Sequence, residues 1–331
     1  MANISLVTGA NGHLGNNLVR DLLKQGDTVR AGVRDIRNAG ILSGLDCQLV
    51  EADMLDRDSM EKALVGVDVL YHVAAVFKHW AKDPETEIVQ ANIKGTEIVL
   101  AAAAKAKVRK VVYVSSVAAI GHDGTPLTEK NWNDDLSNPY YRSKIESEKR
   151  AWELAKQYNL WMVSVLPSAM VGANIGRLTD TMQFIDNIRT NKLAMNPSFF
   201  FNFVDPSDVA KGMIAATEKG TSGERYILAN DHSSSLEEIL TAAKSIGLKV
   251  KTPPAFPKWL LYVLSGVLGL GAKITGKPAE LIASQVTMFF NVKQEYDISK
   301  ARKELGYQPK TPHDTLADTF KYLENRQIKN T

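Results

Sequence analysis

The residues Leu6-Val7-Thr8-Gly9-Ala10-Asn11-Gly12-His13-Leu14-Gly15 set an apolar run directly before glycines at every third position. This reads as a buried strand breaking into a turn that opens a helix. Each missing Cβ has a use there: a tight turn, close backbone approach to a diphosphate, and close packing of helix on strand. Free amides at the start of that helix, together with its dipole, favour an anion. A glycine triplet alone also fits a flexible surface loop, so the rest of the chain decides its meaning.

Apolar runs alternate with helical patterns through the first half. Strands are expected at Ile4 to Thr8, Thr28 to Val33, Gln48 to Glu51, Val69 to Val73, Val111 to Ser115 and Trp161 to Leu166. Between them, helices are expected from about Gly12 to Gln25, Ser59 to Val65, Glu85 to Lys105 and Tyr140 to Gln157. Continuous apolar strands spaced by helices imply a parallel sheet covered on both faces, an α/β doubly wound (Rossmann) fold. Ligands in such sheets bind at the carboxyl ends of the strands.

After Pro167 the alternation loosens. Thr179 to Arg189 reads as a helix, and Phe199, Phe200, Phe201 and Phe203 as an aromatic, core-filling strand. Asp205-Pro206 opens a helix to about Lys219, with proline at the first helical position. Glu224 to Leu228 is a further strand, and Ser235-Leu236-Glu237-Glu238 fits a capping box for a helix through Ile246. Helices at Ile298 to Leu305 and Asp314 to Asn325 end the chain. Residues 1–170, with roughly 203–230 returning to them, are expected to form the dinucleotide-binding domain. Residues 171–202 and 231–331 form a smaller C-terminal substrate-binding lobe.

The 331 residues carry a net charge of +3, which argues against a dedicated nucleic-acid binder. One cysteine, Cys47, allows no internal disulfide and is expected to pack in a core. No Cys/His cluster has metal-ligand spacing, so no metal is expected. The N-terminus runs straight into a strand without a cleavable apolar segment, so a cytoplasmic location is expected. The longest uncharged apolar run, Trp259 to Ala272, is too short to span a bilayer and reads as a buried or interfacial helix, with a mobile cap or a membrane-surface contact as the other readings.

Cofactor choice is argued from the end of the second strand. NAD-binding folds usually place an acidic residue there for the ribose 2′-hydroxyl, but here Val33 is followed by Arg34. A guanidinium is shaped to pair with a 2′-phosphate, which favours NADP(H), with a solvated surface arginine as the alternative. Arg30, on the same strand, either helps or faces water. Asp53, with Met54 after it, follows strand three where the adenine is expected. Val73, Ala74 and Ala75 after strand four offer small side chains beside the ribose.

Tyr140 and Lys144 are four residues apart and share one helical face. A free phenol titrates near 10, too high for ready proton exchange, and a neighbouring ammonium is expected to lower that value. Ser116, at the end of strand five, is placed to orient a substrate oxygen. The same Tyr-Lys spacing recurs at Tyr296 and Lys300, without a strand-end serine before it, so context selects Tyr140. Tyr141 points about 100° away around the helix, towards packing or substrate.

Together, Thr8-Gly9-x-x-Gly12-x-x-Gly15, the strand-five serines, Tyr140-x-x-x-Lys144 and Leu166-Pro167-Ser168 resemble the extended short-chain dehydrogenase/reductase family over nearly the whole chain. Val33-Arg34-Asp35, His72-Val73-Ala74-Ala75 and Asn92-x-Lys94-Gly95-Thr96 are similar to its dihydroflavonol-reductase-like branch. Met288-Phe289-Phe290 and the segment Lys300 to Tyr307 are similar to bacterial proteins labelled hopanoid-associated sugar epimerases. The resemblance implies that Tyr140 is the general acid, that Lys144 also binds the nicotinamide ribose, and that Ser116 orients the carbonyl. It implies that Pro167, Ser168 and Met170 border the nicotinamide. The glycine turn, Thr8 to Gly15 with Asn11, His13 and Leu14, holds the cofactor, though His13 is given no catalytic role. Lys78, His79 and Trp80 are read as a surface loop near the mouth. A homodimer is an assembly that the resemblance leaves open by analogy.

Three functions compete. The first is an NADP(H)-dependent reductase of a ketone or aldehyde on a fairly apolar small molecule. The second is a sugar-nucleotide epimerase that keeps its dinucleotide, ranked lower because Arg34 replaces the expected acid. The third is a non-catalytic dinucleotide-binding protein, against which Ser116, Tyr140 and Lys144 speak.

Overall fold

The computed structural model describes residues 3–77, 81–122, 125–275 and 283–328, so Lys78, His79 and Trp80 lie outside the described residues. Seven parallel strands form one sheet in the order β3-β2-β1-β4-β5-β6-β9. They are β1 (Ile4–Thr8), β2 (Thr28–Val33), β3 (Gln48–Glu51), β4 (Val69–His72), β5 (Lys110–Val114), β6 (Met162–Pro167) and β9 (Arg225–Leu228). The chain reverses direction across the sheet between β1 and β4, which opens a crevice at their carboxyl ends.

Helices cover both faces, as buried parallel strands require. On one face α1 (His13–Lys24) packs against α6 (Pro206–Lys219), and on the other lie α2 (Arg57–Leu64), α3 (Ala91–Lys105) and α4 (Pro139–Gln157). Local chemistry sets their starts. Asp56 caps α2, Asn138 caps α4 ahead of Pro139, and Asp205 caps α6 ahead of Pro206, each accepting backbone N–H groups. The helix expected from Glu85 to Lys105 is divided: Glu85–Gln90 is a wide π-helical turn, and α3 begins at Ala91.

Beyond β6 lie β7 (Ala169–Met170), α5 (Asp180–Arg189), β8 (Phe203–Val204), α7 (Leu236–Ser245), α8 (Lys258–Thr275), α9 (Ala283–Phe289), α10 (Ser299–Leu305) and α11 (Pro312–Ile328). The capping box at Ser235 and Glu238 is formed. The aromatic strand is not continuous. Only Phe203–Val204 pair regularly, with β7, while Phe199 and Phe201 make single bridges to Phe290 and Ser234. Their rings account for this: Phe201 stacks on Phe203 and Phe199 meets Phe289, so packing of large rings from consecutive residues outcompetes a regular ladder.

Among the described residues no helix is long and apolar enough to cross a membrane, and no group of three His, Cys, Asp or Glu is gathered for a metal. Cys47 is partly buried against the core of the α1 face. Arg30 is withdrawn from any ligand role, because its guanidinium donates to the carbonyls of Ala63 and Val65 at the end of α2.

Candidate active site

The glycine turn is built as its sequence requires. Gly9 has φ of 64°, and a Cβ on it would lie 3.0 Å from the Cα of Ala74. A Cβ on Gly15 would stand 2.2 Å from the Gly9 carbonyl oxygen, inside any tolerable contact. Gly12 caps α1 with no side chain to satisfy the first-turn amides and with no acidic residue in that turn. An anion-seeking helix start therefore faces the crevice.

Thr8 joins this turn to the end of β4. Its hydroxyl accepts the backbone N–H groups of Val73 and Ala74, each at 3.1 Å, and lies 3.0 Å from Nδ1 of His72. With both acceptor directions engaged, the Thr8 hydroxyl donates to His72, which fixes a neutral imidazole protonated at Nε2. Burial agrees, pulling His72 down to about 3, with the nearby Lys144 charge acting in the same sense. Val73 and Ala74 are thus held half-buried against the turn, and Ala75 is exposed beside them.

Other residues from the sequence reading divide between rim and core. The side chain of His13 is committed elsewhere: Nε2 donates to the carbonyls of Gly172 and Ala173, clipping the chain after β7 onto α1. Leu14 is buried in the core beneath the turn, and Met54 packs where a Cβ on Gly95 would fall. For these three, only the backbone remains for a ligand. Asn11 donates to the carbonyl of Asn38, tying the turn to the loop after β2. Asp53 is half-buried, with one carboxylate oxygen accepting the Leu55 amide.

At the end of β2, Arg34 is exposed and makes no hydrogen bond or ion pair among the described residues. Its acidic neighbour is engaged. Asp35 accepts from the backbone and guanidinium of Arg37 and from the Asn38 amide, which holds its carboxyl below the usual range.

Ser116 follows β5, accepts the Ala118 amide at 3.1 Å, and hydrogen-bonds the phenol of Tyr140. Tyr140 and Lys144 occupy successive turns of α4 and are both buried. The expected lowering of the tyrosine is corrected here. Desolvation dominates and pushes Tyr140 up to about 12, with the Ser116 hydrogen bond opposing it, while burial brings Lys144 down to about 8 against the pull of Glu148. A phenol is protonated near neutrality at its ordinary value already, so burial leaves Tyr140 a proton-bearing group of weaker acidity.

The buried Ser168 hydroxyl, just past Pro167 at the end of β6, has no hydrogen-bond partner among the described residues, and Lys144 nearby makes no hydrogen bond among them, only a longer-range attraction to Glu148. Buried donors are normally satisfied, so a ligand rich in hydroxyl and amide groups fits this crevice. Met170, in β7, is half-buried nearby in the chain. The other Tyr-Lys pair is excluded by geometry, because Lys300 pairs with Glu224 at 2.5 Å and Tyr296 donates to the Gly121 carbonyl.

Phe77, His122, Glu148 and Arg225 went unread in the sequence. Rings continue outward from the phenol: Phe77 meets Tyr140 edge-on at 5.2 Å, Tyr141 lies 5.7 Å from Tyr140, and His122 and Phe289 stand at 5.4 and 6.1 Å from Tyr141. Beneath Lys144, the carboxylate of Glu148 is fully buried. It accepts both Nε and Nη2 of Arg225, at 2.9 and 3.0 Å, and the Ser115 hydroxyl at 2.6 Å. Arg225 also donates to the carbonyls of Glu129 and Asn131 and lies 3.9 Å over the Trp132 ring. Nothing local in the sequence marked this network, because Glu148 lies in the charged stretch Glu146 to Arg150 and Arg225 is 77 residues away. Removing one partner of a buried pair leaves the other uncompensated, so Glu148→Gln is expected to lower stability by about 3 kcal/mol in urea unfolding. An unchanged midpoint would show that the pair contributes nothing net.

A family model described as the NAD dependent epimerase/dehydratase family matches residues 5–229. A Synechocystis protein named "Putative dihydroflavonol 4-reductase" is 33% identical, with 100% of this chain and 97% of that protein aligned. Cinnamoyl-CoA reductase CAD2 of Medicago truncatula is 32% identical over 72% of this chain and 80% of its own. Among solved structures, that of gox2253 superposes with a TM-score of 0.83 at 31% identity, covering 98% of each chain.

Proposed function

Since this chain belongs to the NAD dependent epimerase/dehydratase family, as an extended short-chain dehydrogenase/reductase, we propose that it reduces the carbonyl of a fairly apolar ketone or aldehyde with NADPH. Membership of this family, with its reductase relatives, makes the protein a nicotinamide-dependent reductase of the extended short-chain kind. The observation that carries this proposal is the buried Tyr140 phenol, hydrogen-bonded to Ser116 and one helical turn from Lys144.

In this reading the dinucleotide lies over Thr8 to Gly15. The uncapped start of α1 would hold its diphosphate, Arg34 its ribose 2′-phosphate and Asp53 its adenine, while Val73, Ala74 and Ala75 would border a ribose and Pro167, Ser168 and Met170 the nicotinamide. Bound there, the cofactor supplies hydride. Ser116 donates to the substrate oxygen and orients it, and Tyr140 passes its phenolic proton to that oxygen as negative charge develops. Lys144 holds ribose hydroxyls with its ammonium and limits the cost of the transient phenolate. The rings of Phe77, Tyr141, His122 and Phe289 favour an apolar substrate and exclude water from the proton transfer.

NADPH is preferred over NADH in this reading because Arg34 is free and Asp35 is not. A ribose 2′-hydroxyl would need an acidic acceptor at this rim, and the Asp35 carboxylate is already engaged by Arg37 and Asn38.

The pH dependence has a defined sign. Lys144 titrates near 8, below an ordinary lysine, and its charged form is the useful one. The reductive kcat/KM is therefore expected to be level below that pH and to fall as pH rises through about 8, with Lys144→Met removing the inflection. A profile that rises through the same range would contradict the role given to the ammonium.

A further inference from the structure

The helix α8 (Lys258–Thr275) is apolar on two opposite sides. Its inner side contributes Leu261, buried with Phe199, Val286 and Phe289, with Leu268 packed against them. Its outer side presents Trp259, Val263 and Val267, which are 66%, 55% and 62% exposed and fall at helical i, i+4 and i+8. Tyr262, also exposed, borders this stripe and bonds Thr287 of α9. Large apolar side chains in such a row on a soluble surface call for an occupant.

Charge identifies its chemistry. Residues 239–294 contain seven lysines and one acidic residue, Glu280, a net +6, whereas the whole chain carries +3. The remainder of the protein is therefore net negative, and the positive charge is concentrated in the segment bearing the apolar stripe. Lys244, Lys249, Lys251 and Lys258 are exposed, and neither α8 nor α9 contains an acidic residue. A nucleic acid would use the charge but leave the apolar row unexplained. An anionic lipid surface uses both, since an interfacial helix buries its apolar side while flanking lysines meet headgroups.

We infer that α8 docks this protein on the surface of an anionic membrane, lying in the interface rather than spanning it. The inner side of the same helix packs on the Phe289 cluster, which reaches Tyr141 beside the candidate site. Docking thus sets the site next to a phase in which apolar carbonyl compounds concentrate.

The test is co-sedimentation of the full chain with vesicles of equal parts phosphatidylglycerol and phosphatidylcholine, against phosphatidylcholine alone. Binding is expected to the anionic vesicles only, weakening as salt is raised, with a blue shift in tryptophan emission. The variant Trp259→Ser/Val263→Ser/Val267→Ser is expected to bind roughly tenfold more weakly or not at all, with its circular dichroism unchanged. Lys251→Glu/Lys258→Glu, which leaves the apolar row intact, is expected to lose roughly tenfold as well. Absence of vesicle binding, binding indifferent to vesicle charge, or full binding by either variant would overturn the inference. So would a parent that ignores vesicles but self-associates through this row, seen as a dimer that the triple serine variant dissociates.

Discussion

Tyr140→Phe is expected to lower kcat for carbonyl reduction by about 10²–10⁴ while changing NADPH affinity less than about twofold. That is the range for removal of a positioned general acid. The substitution deletes only the hydroxyl. The ring stays between Phe77 and Tyr141, which pack on it edge-on, so the helix start and the cofactor crevice should be undisturbed. Ser116 still orients the carbonyl, which leaves the residual rate. Stopped-flow absorbance of the nicotinamide, paired with fluorescence titration of NADPH, separates the two quantities. Turnover within about tenfold of the parent would remove Tyr140 from the proton path. Loss of turnover together with loss of NADPH binding would assign it to cofactor binding instead.

Arg34→Asp is expected to reverse the cofactor preference. The substitution removes a guanidinium able to pair with the 2′-phosphate and sets a carboxylate against it. A charge-assisted pair is worth about 1.5–3 kcal/mol, so the ratio of NADPH to NADH affinity should fall by roughly 100-fold. Arg37 cannot compensate without leaving Asp35, to which it makes bonds of 2.9 and 3.0 Å. Calorimetric titration with both dinucleotides measures the ratio directly. A ratio left within about threefold of the parent would mean that Arg34 is a solvated surface residue.

The central strands were legible because they are buried on both faces and so appear as apolar runs, whereas the edge strand β3 is mostly exposed. All seven strands of the main sheet lie within a residue or so of where that pattern puts them. Tyr140 and Ser116 were legible because a helical repeat and a strand end are local features, and they do meet in the structure.

What escaped depends on approach between distant segments. Glu148 and Arg225 are 77 residues apart, and Thr8 and His72 are 64, so nothing local marks either pair. The sign of the tyrosine shift escaped for a related reason. Proximity of Lys144 in sequence was visible, but the degree of burial that outweighs it was not. His13 was legible as part of the turn, yet its imidazole reaches across to carbonyls at Gly172 and Ala173. The aromatic stretch near Phe201 was read by strand propensity, and ring packing with Phe184 and Phe289 broke the strand.

One measurement bears on the whole proposal. Purified protein is mixed with NADPH or NADH and a panel of apolar ketones and aldehydes at neutral pH, and carbonyl-dependent loss of nicotinamide absorbance is followed with identification of the product. The expected result is reduction of at least one carbonyl to its alcohol, with one NADPH consumed per product and a markedly slower reaction with NADH. No carbonyl-dependent oxidation of either dinucleotide, or epimerisation of a sugar nucleotide without net cofactor consumption, would contradict it.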